Sequence, residues 1–159
     1  MRLTTKGRYA VTAMIDLAMN QFMGPVTLKS ISSNQGISLS YLEQLFSKMR
    51  KSNLVEGTRG PGGGYVLARD VNEITIADII IAVDEPLDIT ECDGLQNCKD
   101  GKRCLSHDLW SELSDQLYSF LSGIQLGDLM ERSGLPLDGS HPATRIQRQE
   151  VNIPTLERH

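Results

Sequence analysis

Cys92, Cys98, Cys104 and His107 stand in the pattern C-x5-C-x5-C-x2-H. Cysteine thiolate and histidine imidazole are the side chains that hold transition metals. Gly94 and Gly101 lie between them and permit a wrap. The chain has 3 cysteines. An odd set, all close together, makes a poor disulfide framework and a good metal cluster. Zinc accepts three cysteines and a histidine, but zinc sites usually bring closely spaced cysteine pairs. Here only Cys104 and His107 are close. Thiolates also bind iron–sulfur clusters, and imidazole can replace thiolate on an iron, as in Rieske centres. A neutral imidazole changes the cluster's charge and can be protonated off. Such a site is labile, which suits a sensor better than a permanent electron carrier. The spacing therefore favours an iron–sulfur site, with a structural zinc staple and unligated thiols as the open alternatives. His141 and His159 receive no role, and Asp100, Lys102 and Arg103 read as solvated.

A second constellation lies upstream. Leu42, Leu45, Phe46 and Met49 repeat at helical spacing and make one apolar face. Ser40, Glu43, Gln44 and Ser47 repeat at the same spacing on another face. The first set can anchor a helix. The second can enter a major groove, where Gln pairs with adenine and Glu accepts from the cytosine amino group. Lys48, Arg50 and Lys51 follow, near where phosphates would run. Any amphipathic surface helix has a polar face, so the elements around this one must decide.

Those elements support a DNA reader. Ala10, Ala13, Met14, Leu17 and Ala18 predict a helix over 8–20, broken by Gly24-Pro25. Thr27 can cap a short helix over 28–35, which Gly36 stops. Ser38 can cap the helix over 39–51. Leu54-Val55 and Tyr65-Val66-Leu67 are β-prone and flank Arg59-Gly60-Pro61-Gly62-Gly63-Gly64, so a hairpin with a flexible tip is expected. A helix, a short turn, a second helix and a hairpin give the order of a winged helix-turn-helix. Glycines let the tip approach phosphates, and Arg59 could enter a narrow minor groove. A nucleotide-binding loop is excluded, because no Lys-Ser/Thr follows the glycines. A mere tight turn is the remaining alternative. Thr75 and Asp78 form a capping box for a helix carrying Ile76, Ile79, Ile80 and Val83. Residues 87–104 show no apolar period and read as a loop.

From about 105 to 124 a long helix returns, with Trp110, Leu113, Leu117, Phe120 and Ile124 at heptad-like spacing. Core packing could explain that seam, but a dimer interface is the favoured reading. A short helix is expected near 126–131, and a polar, proline-containing disordered tail beyond Ser133. The expected fold is mainly α, with a small β-hairpin wing and a long C-terminal dimerisation helix. The expected organisation is a winged helix-turn-helix domain over 1–85, with its helix-turn-helix at about 28–51 and its wing at about 54–68. A cluster loop at 86–107, a dimerisation region at 105–131 and a tail at 132–159 complete it.

The net charge of −4 alone argues against nucleic acid. Its distribution argues the other way. Residues 1–75 hold nine of the Lys and Arg residues against five acids, whereas 76–159 hold seven against fifteen. Such asymmetry suggests a nucleic-acid-facing half and a half with another task. Tyr9, Thr12, Asp16 and Asn20 interrupt the apolar N-terminal stretch, and no cleavage site follows, so it is not read as a signal peptide. No apolar run reaches membrane-spanning length, and a soluble cytoplasmic protein is expected. No nucleophile–base set or nucleotide loop appears, so an enzyme is not expected.

MRLTTKGRYAVTAM, GISLSYLEQLF, RGPGGGY and the C-x5-C-x5-C-x2-H loop, in this order, resemble the IscR family of iron–sulfur cluster regulators over residues 1–131. The resemblance implies a homodimer that binds double-stranded operators. It implies one [2Fe-2S] cluster per subunit on Cys92, Cys98, Cys104 and His107, received from the iron–sulfur assembly machinery. It maps DNA contacts onto Ser38, Ser40, Tyr41, Glu43 and Gln44, with Arg59 in the wing. It implies a repressor and activator of cluster-assembly genes, whose cluster-free form still binds a second class of site. A related branch senses nitric oxide and uses an N-terminal aspartate ligand. Here Arg8 stands in that region, no acid precedes Asp16, and His107 is present. That favours the assembly-regulator branch.

Overall fold

A computed structural model describes residues 5–90, 95–96, 101–102 and 104–134. The first long helix, α1, spans Thr5–Asn20. Its buried side carries Ala10, Ala13, Met14, Leu17 and Ala18, the apolar set expected from spacing. The helix starts earlier than the expected 8. A short 3-10 turn, Gln21–Met23, follows and stops at Gly24.

Helix α2 spans Leu28–Gln35 and α3 spans Leu39–Lys51. Local chemistry sets both starts. The Thr27 hydroxyl accepts from the Ser30 amide at 3.1 Å, and the Ser38 hydroxyl accepts from the Tyr41 amide at 3.3 Å. Each satisfies an amide that the helix leaves without an internal partner. Gly36 ends α2 in the left-handed region at φ +67°, which costs glycine nothing. Asn53 does the same for α3 at φ +58°, and the Leu54 amide closes back onto the Met49 carbonyl at 3.0 Å.

Strands β1 (Val55–Thr58) and β2 (Gly64–Leu67) form an antiparallel hairpin, with Val55 opposite Leu67 and Thr58 opposite Gly64. The chain at Val26 joins this hairpin through two backbone bonds with Tyr65, at 2.9 and 2.7 Å. A Cβ on Gly64 would lie 2.5 Å from the Val26 carbonyl oxygen, so only glycine fits that crossing. At the tip, a Cβ on Gly63 would lie 2.4 Å from the Thr58 carbonyl oxygen.

Helix α4 spans Ile76–Ala82. Its capping box forms as expected, with Thr75 and Asp78 exchanging bonds of 3.1 Å. Helices α5 (His107–Ser122) and α6 (Leu126–Arg132) complete the chain described. Residue 75 pairs with 125 in an isolated antiparallel bridge: the Ile76 amide reaches Ile124 at 2.9 Å, and the Leu126 amide reaches Ile74 at 2.8 Å. This bridge fastens the starts of α4 and α6 side by side. Hairpin reasoning from local runs did not find it, because its two halves lie far apart in sequence.

One core runs through these elements. Met14, Leu17, Ile31, Leu42, Phe46, Met49, Ile79 and Leu126 are fully buried. Burying each such side chain contributes roughly 1.5–3 kcal/mol before entropy is counted. Phe46 of α3 meets the Tyr65 ring edge-on, with centroids 5.0 Å apart. Helix α3 is thus packed directly on the hairpin.

Helix α5 divides differently from the expected seam. Leu117, Leu121 and Ile124 pack on the core. Trp110, Leu113 and Phe120 face outward with Leu109 and Tyr118. The helix is slightly shorter than 105–124, because Leu105 and Ser106 form the turn before it.

Candidate nucleic-acid interface and metal-ligand loop

The N-terminal half of α3 presents a largely polar surface, with Leu39 exposed at its first position. Ser38, Ser40, Glu43 and Gln44 are all exposed, while Leu42, Leu45, Phe46 and Met49 hold the opposite side in the core. The Ser38 and Ser40 hydroxyls lie 3.1 Å apart. Tyr41 is half-buried, and its ring meets Tyr9 of α1 edge-on at 5.7 Å. Helix α1 therefore orients that side chain. Arg59 is exposed where β1 passes into the glycine tip. The residues expected to touch DNA thus lie on α3, at its cap and in the wing, and Phe46 against Tyr65 braces α3 on the wing.

Helix α1 and α2 are held in register by a buried carboxylate. Asp16 is 3% exposed. It accepts from the amide groups of Asn20, Asn34 and Gln35 at 3.1, 3.2 and 2.7 Å. A buried carboxylate is costly unless hydrogen-bonded, and here three donors supply it. Sequence reading saw Asp16 only as a break in an apolar run. The clustered amides of Asn34 and Gln35 were the signal that could have found it.

Two adjacent acids then link α3 and α1 to the start of the loop. Lys48 pairs with Asp84 at 2.8 Å. That hydrogen bond, then the Lys48 charge, holds the Asp84 carboxyl below its ordinary value, and Lys6 and Lys51 add to the effect. Lys48 was expected to face phosphates, and the structure gives it an acid as a partner. Glu85 is buried, and its carboxylate accepts from the Gly7 amide at 2.6 Å. The first turn of α1 has no acid of its own, so Glu85 supplies the negative charge that a helix start favours. A cleft of about 330 Å³ lies between Thr5, Lys6, Tyr41, Asp84, Glu85 and Pro86.

Of the four expected ligands, Cys92 and Cys98 lie outside the described residues. Cys104 is half-buried, and His107 is 4% exposed in the first turn of α5. The His107 amide donates to the Cys104 carbonyl at 3.2 Å, so one tight turn carries both. A buried imidazole one turn from a thiol brings together the two donor types that a thiolate–imidazole metal site uses. These two residues fit such a site by donor chemistry.

The loop's entry is anchored to the same helix. The Ile89 amide donates to the Ser114 hydroxyl at 2.9 Å, and that hydroxyl donates to the Trp110 carbonyl at 2.8 Å. Asp88 accepts from the Thr90 hydroxyl at 2.6 Å and the Thr90 amide at 2.7 Å. These bonds hold its carboxyl below the ordinary value, with smaller help from Ser114 and the nearby His107. The segment leading to residue 92 is therefore tied to the helix that begins at His107. No local pattern in the sequence marks Ser114 for this role, because its partner Ile89 lies 25 residues away.

Residues 3–132 match the family Rrf2, described as "Iron-dependent Transcriptional regulator". The chain is 54% identical over 153 residues to the "HTH-type transcriptional regulator IscR" of Escherichia coli O9:H4 (strain HS), covering 92% of this chain and 94% of that one. Among solved structures it is similar to "T. potens IscR", with a TM-score of 0.68 and 35% identity over 84% of this chain and 88% of that one. It is also similar to CymR, the global cysteine regulator of B. subtilis, with a TM-score of 0.71 and 36% identity over 83% of this chain and 98% of that one.

Proposed function

As a member of the Rrf2 family of iron-dependent transcriptional regulators, this chain is a DNA-binding regulator of transcription, and we propose that it senses iron–sulfur cluster status and controls cluster-assembly genes. The carrying observation is the exposed polar face of α3, braced on the wing by Phe46 against Tyr65. In this reading Ser38, Ser40, Tyr41, Glu43 and Gln44 meet the major groove and Arg59 meets the minor groove. Glu43 selects sites by accepting from cytosine, or by repelling a phosphate where cytosine is absent.

Cys92, Cys98, Cys104 and His107 are the residues that would hold one [2Fe-2S] cluster per subunit. When bound, such a cluster supplies a centre that iron limitation or oxidation can remove. The chain's own part is positional. Ser114 and Asp88 hold the loop entry on α5, the Cys104–His107 turn sets the loop exit, and Asp84 and Glu85 tie its start to α3 and α1. The cluster-loaded form represses assembly genes, and the cluster-free form binds a second class of site and can activate there. Donation comes from the iron–sulfur assembly machinery. No described helix is long and apolar enough to cross a membrane, and the proposed compartment is the cytoplasm.

The outward stripe of Leu109, Trp110, Leu113 and Phe120 on α5 supports a homodimer. An exposed apolar stripe of this kind favours a second copy over water. A dimer would place two recognition helices on two half-sites.

The test is binding of oxygen-free protein to DNA selected from a random pool, in the cluster-loaded and cluster-free forms. We expect sequence-specific binding with different site preferences in the two forms. Equal affinity of Cys92→Ala and loaded native protein for every selected site would remove the coupling. No preference over random DNA would remove the whole reading.

A further inference from the structure

Asp84 occupies a position whose local chemistry argues against an aspartate. It follows the last turn of α4, and its amide reaches the Ile81 carbonyl at 3.1 Å while the Glu85 amide reaches Ile80 at 3.3 Å. This is the paired closure of a helix C-terminus, with Asp84 as the left-handed residue at φ +59°. Glycine is the easiest residue there, and asparagine fits as well as aspartate without the charge. A negative charge is also disfavoured at a helix's C-terminal end. The backbone bonds already close the helix, so the carboxylate has no capping work to do.

What the carboxylate does touch is Lys48, at 2.8 Å. Asp84 is 73% exposed and Lys48 35% exposed, and ion pairs this open add little to folding stability. Lys6 and Lys51 also act on Asp84. An acid has thus been placed among three lysines, at the basic end of the DNA-reading helix. Its backbone is held on the next residue by the buried Glu85, and Pro86 then begins the segment leading to the cysteines.

We propose that Asp84 withholds Lys48 from the DNA backbone, competing with a phosphate for the same ammonium group, and that loop geometry reaches the recognition helix at this residue. This rests on the DNA-binding, cluster-sensing reading given above. Release of Lys48 adds one phosphate contact. It raises affinity for all sequences alike, because phosphate contacts carry no base information.

The experiment measures binding of the full-length protein to a selected operator and to random duplex DNA across a salt series. Asp84→Asn suits the left-handed position and should fold with an unchanged or raised Tm. Its log–log salt slope should steepen by about 0.9, the value of one released counterion, with affinity several-fold higher on both DNAs. Lys48→Gln in that background should abolish the gain. Glu73→Gln, which makes the same charge change elsewhere on the surface, should not reproduce it. In native protein the slope should differ by about one contact between the cluster-loaded and cluster-free forms, and in Asp84→Asn it should not.

A native-like slope in Asp84→Asn, a gain that survives Lys48→Gln, or a fall in Tm would overturn the competition. Equal native slopes in the two forms would overturn the link to the loop. Native protein with no salt-dependent DNA binding would instead defeat the functional reading beneath it.

Discussion

Glu43 stands exposed on α3 between Leu42 and Gln44. A carboxylate near a phosphate backbone is unfavourable unless a donor such as the cytosine amino group meets it. Glu43→Ala should therefore relax discrimination rather than weaken binding. The affinity ratio between a preferred site and one lacking that cytosine should fall by about 5-fold or more, the equivalent of about 1–3 kcal/mol. Fluorescence anisotropy on the paired sites reads it, and an unchanged ratio would take Glu43 out of the interface. Ser38 combines two duties. Its hydroxyl caps α3 through the Tyr41 amide and lies beside Ser40. Ser38→Ala should lower stability by about 1 kcal/mol, seen as a lower urea midpoint. Ser38→Asp should recover that loss while still losing DNA affinity, since it adds an acid to the reading face. The cap and the exposed face were legible because capping and helical spacing are both local in sequence. Asp16, Asp84 and Glu85 were not, since their meaning lies in partners brought by other elements.

The elements themselves followed closely from the chain. The bounds of α2 and α3 agree with expectation because Thr27, Ser38 and Gly36 punctuate them. The bridge between residues 75 and 125 was not foreseen, because no local pattern announces a pairing over that separation. Helix α5 was located, but its faces were not. A run of apolar residues at three and four does not say which belong to the chain's own core. Leu117 and Ile124 turned inward, and Phe120 turned outward at 65% exposure. Phe120→Glu should thus lower the dimer population without a comparable loss of monomer stability. Sedimentation at several concentrations checks this, and an unchanged dimer would move the interface elsewhere. The N-terminal half of α5 anchors the loop entry through Ser114 and Asp88. The folded pKa of Asp88 lies below its ordinary 3.8. Its contribution is therefore present above that ordinary value and is lost as pH falls through the lower folded value. The NMR shift of the Thr90 amide, which donates to Asp88, should hold steady near neutrality and move only in strong acid. In Asp88→Asn that acid transition should disappear.

At the scale of the whole molecule, a basic N-terminal half and an acidic C-terminal half are joined by short polar ties. The ties run from Glu85 to α1 and from Asp84 to α3. Spacing suggests the ligand set but not its metal, because three thiols and an imidazole suit zinc as well as iron. Burial of His107 beside the Cys104 turn supports a ligand role, and the family match adds iron to the reading. The most direct measurement is purification without oxygen, followed by an absorption spectrum with iron, sulfide and zinc analysis on the same sample, for native protein and His107→Ala. The account predicts a coloured native protein with about two irons and two sulfides per chain, and visible bands altered or lost in the variant. Colourless protein carrying one zinc, or no metal after cluster reconstitution, would contradict it and leave a DNA-binding regulator without an iron–sulfur sensor.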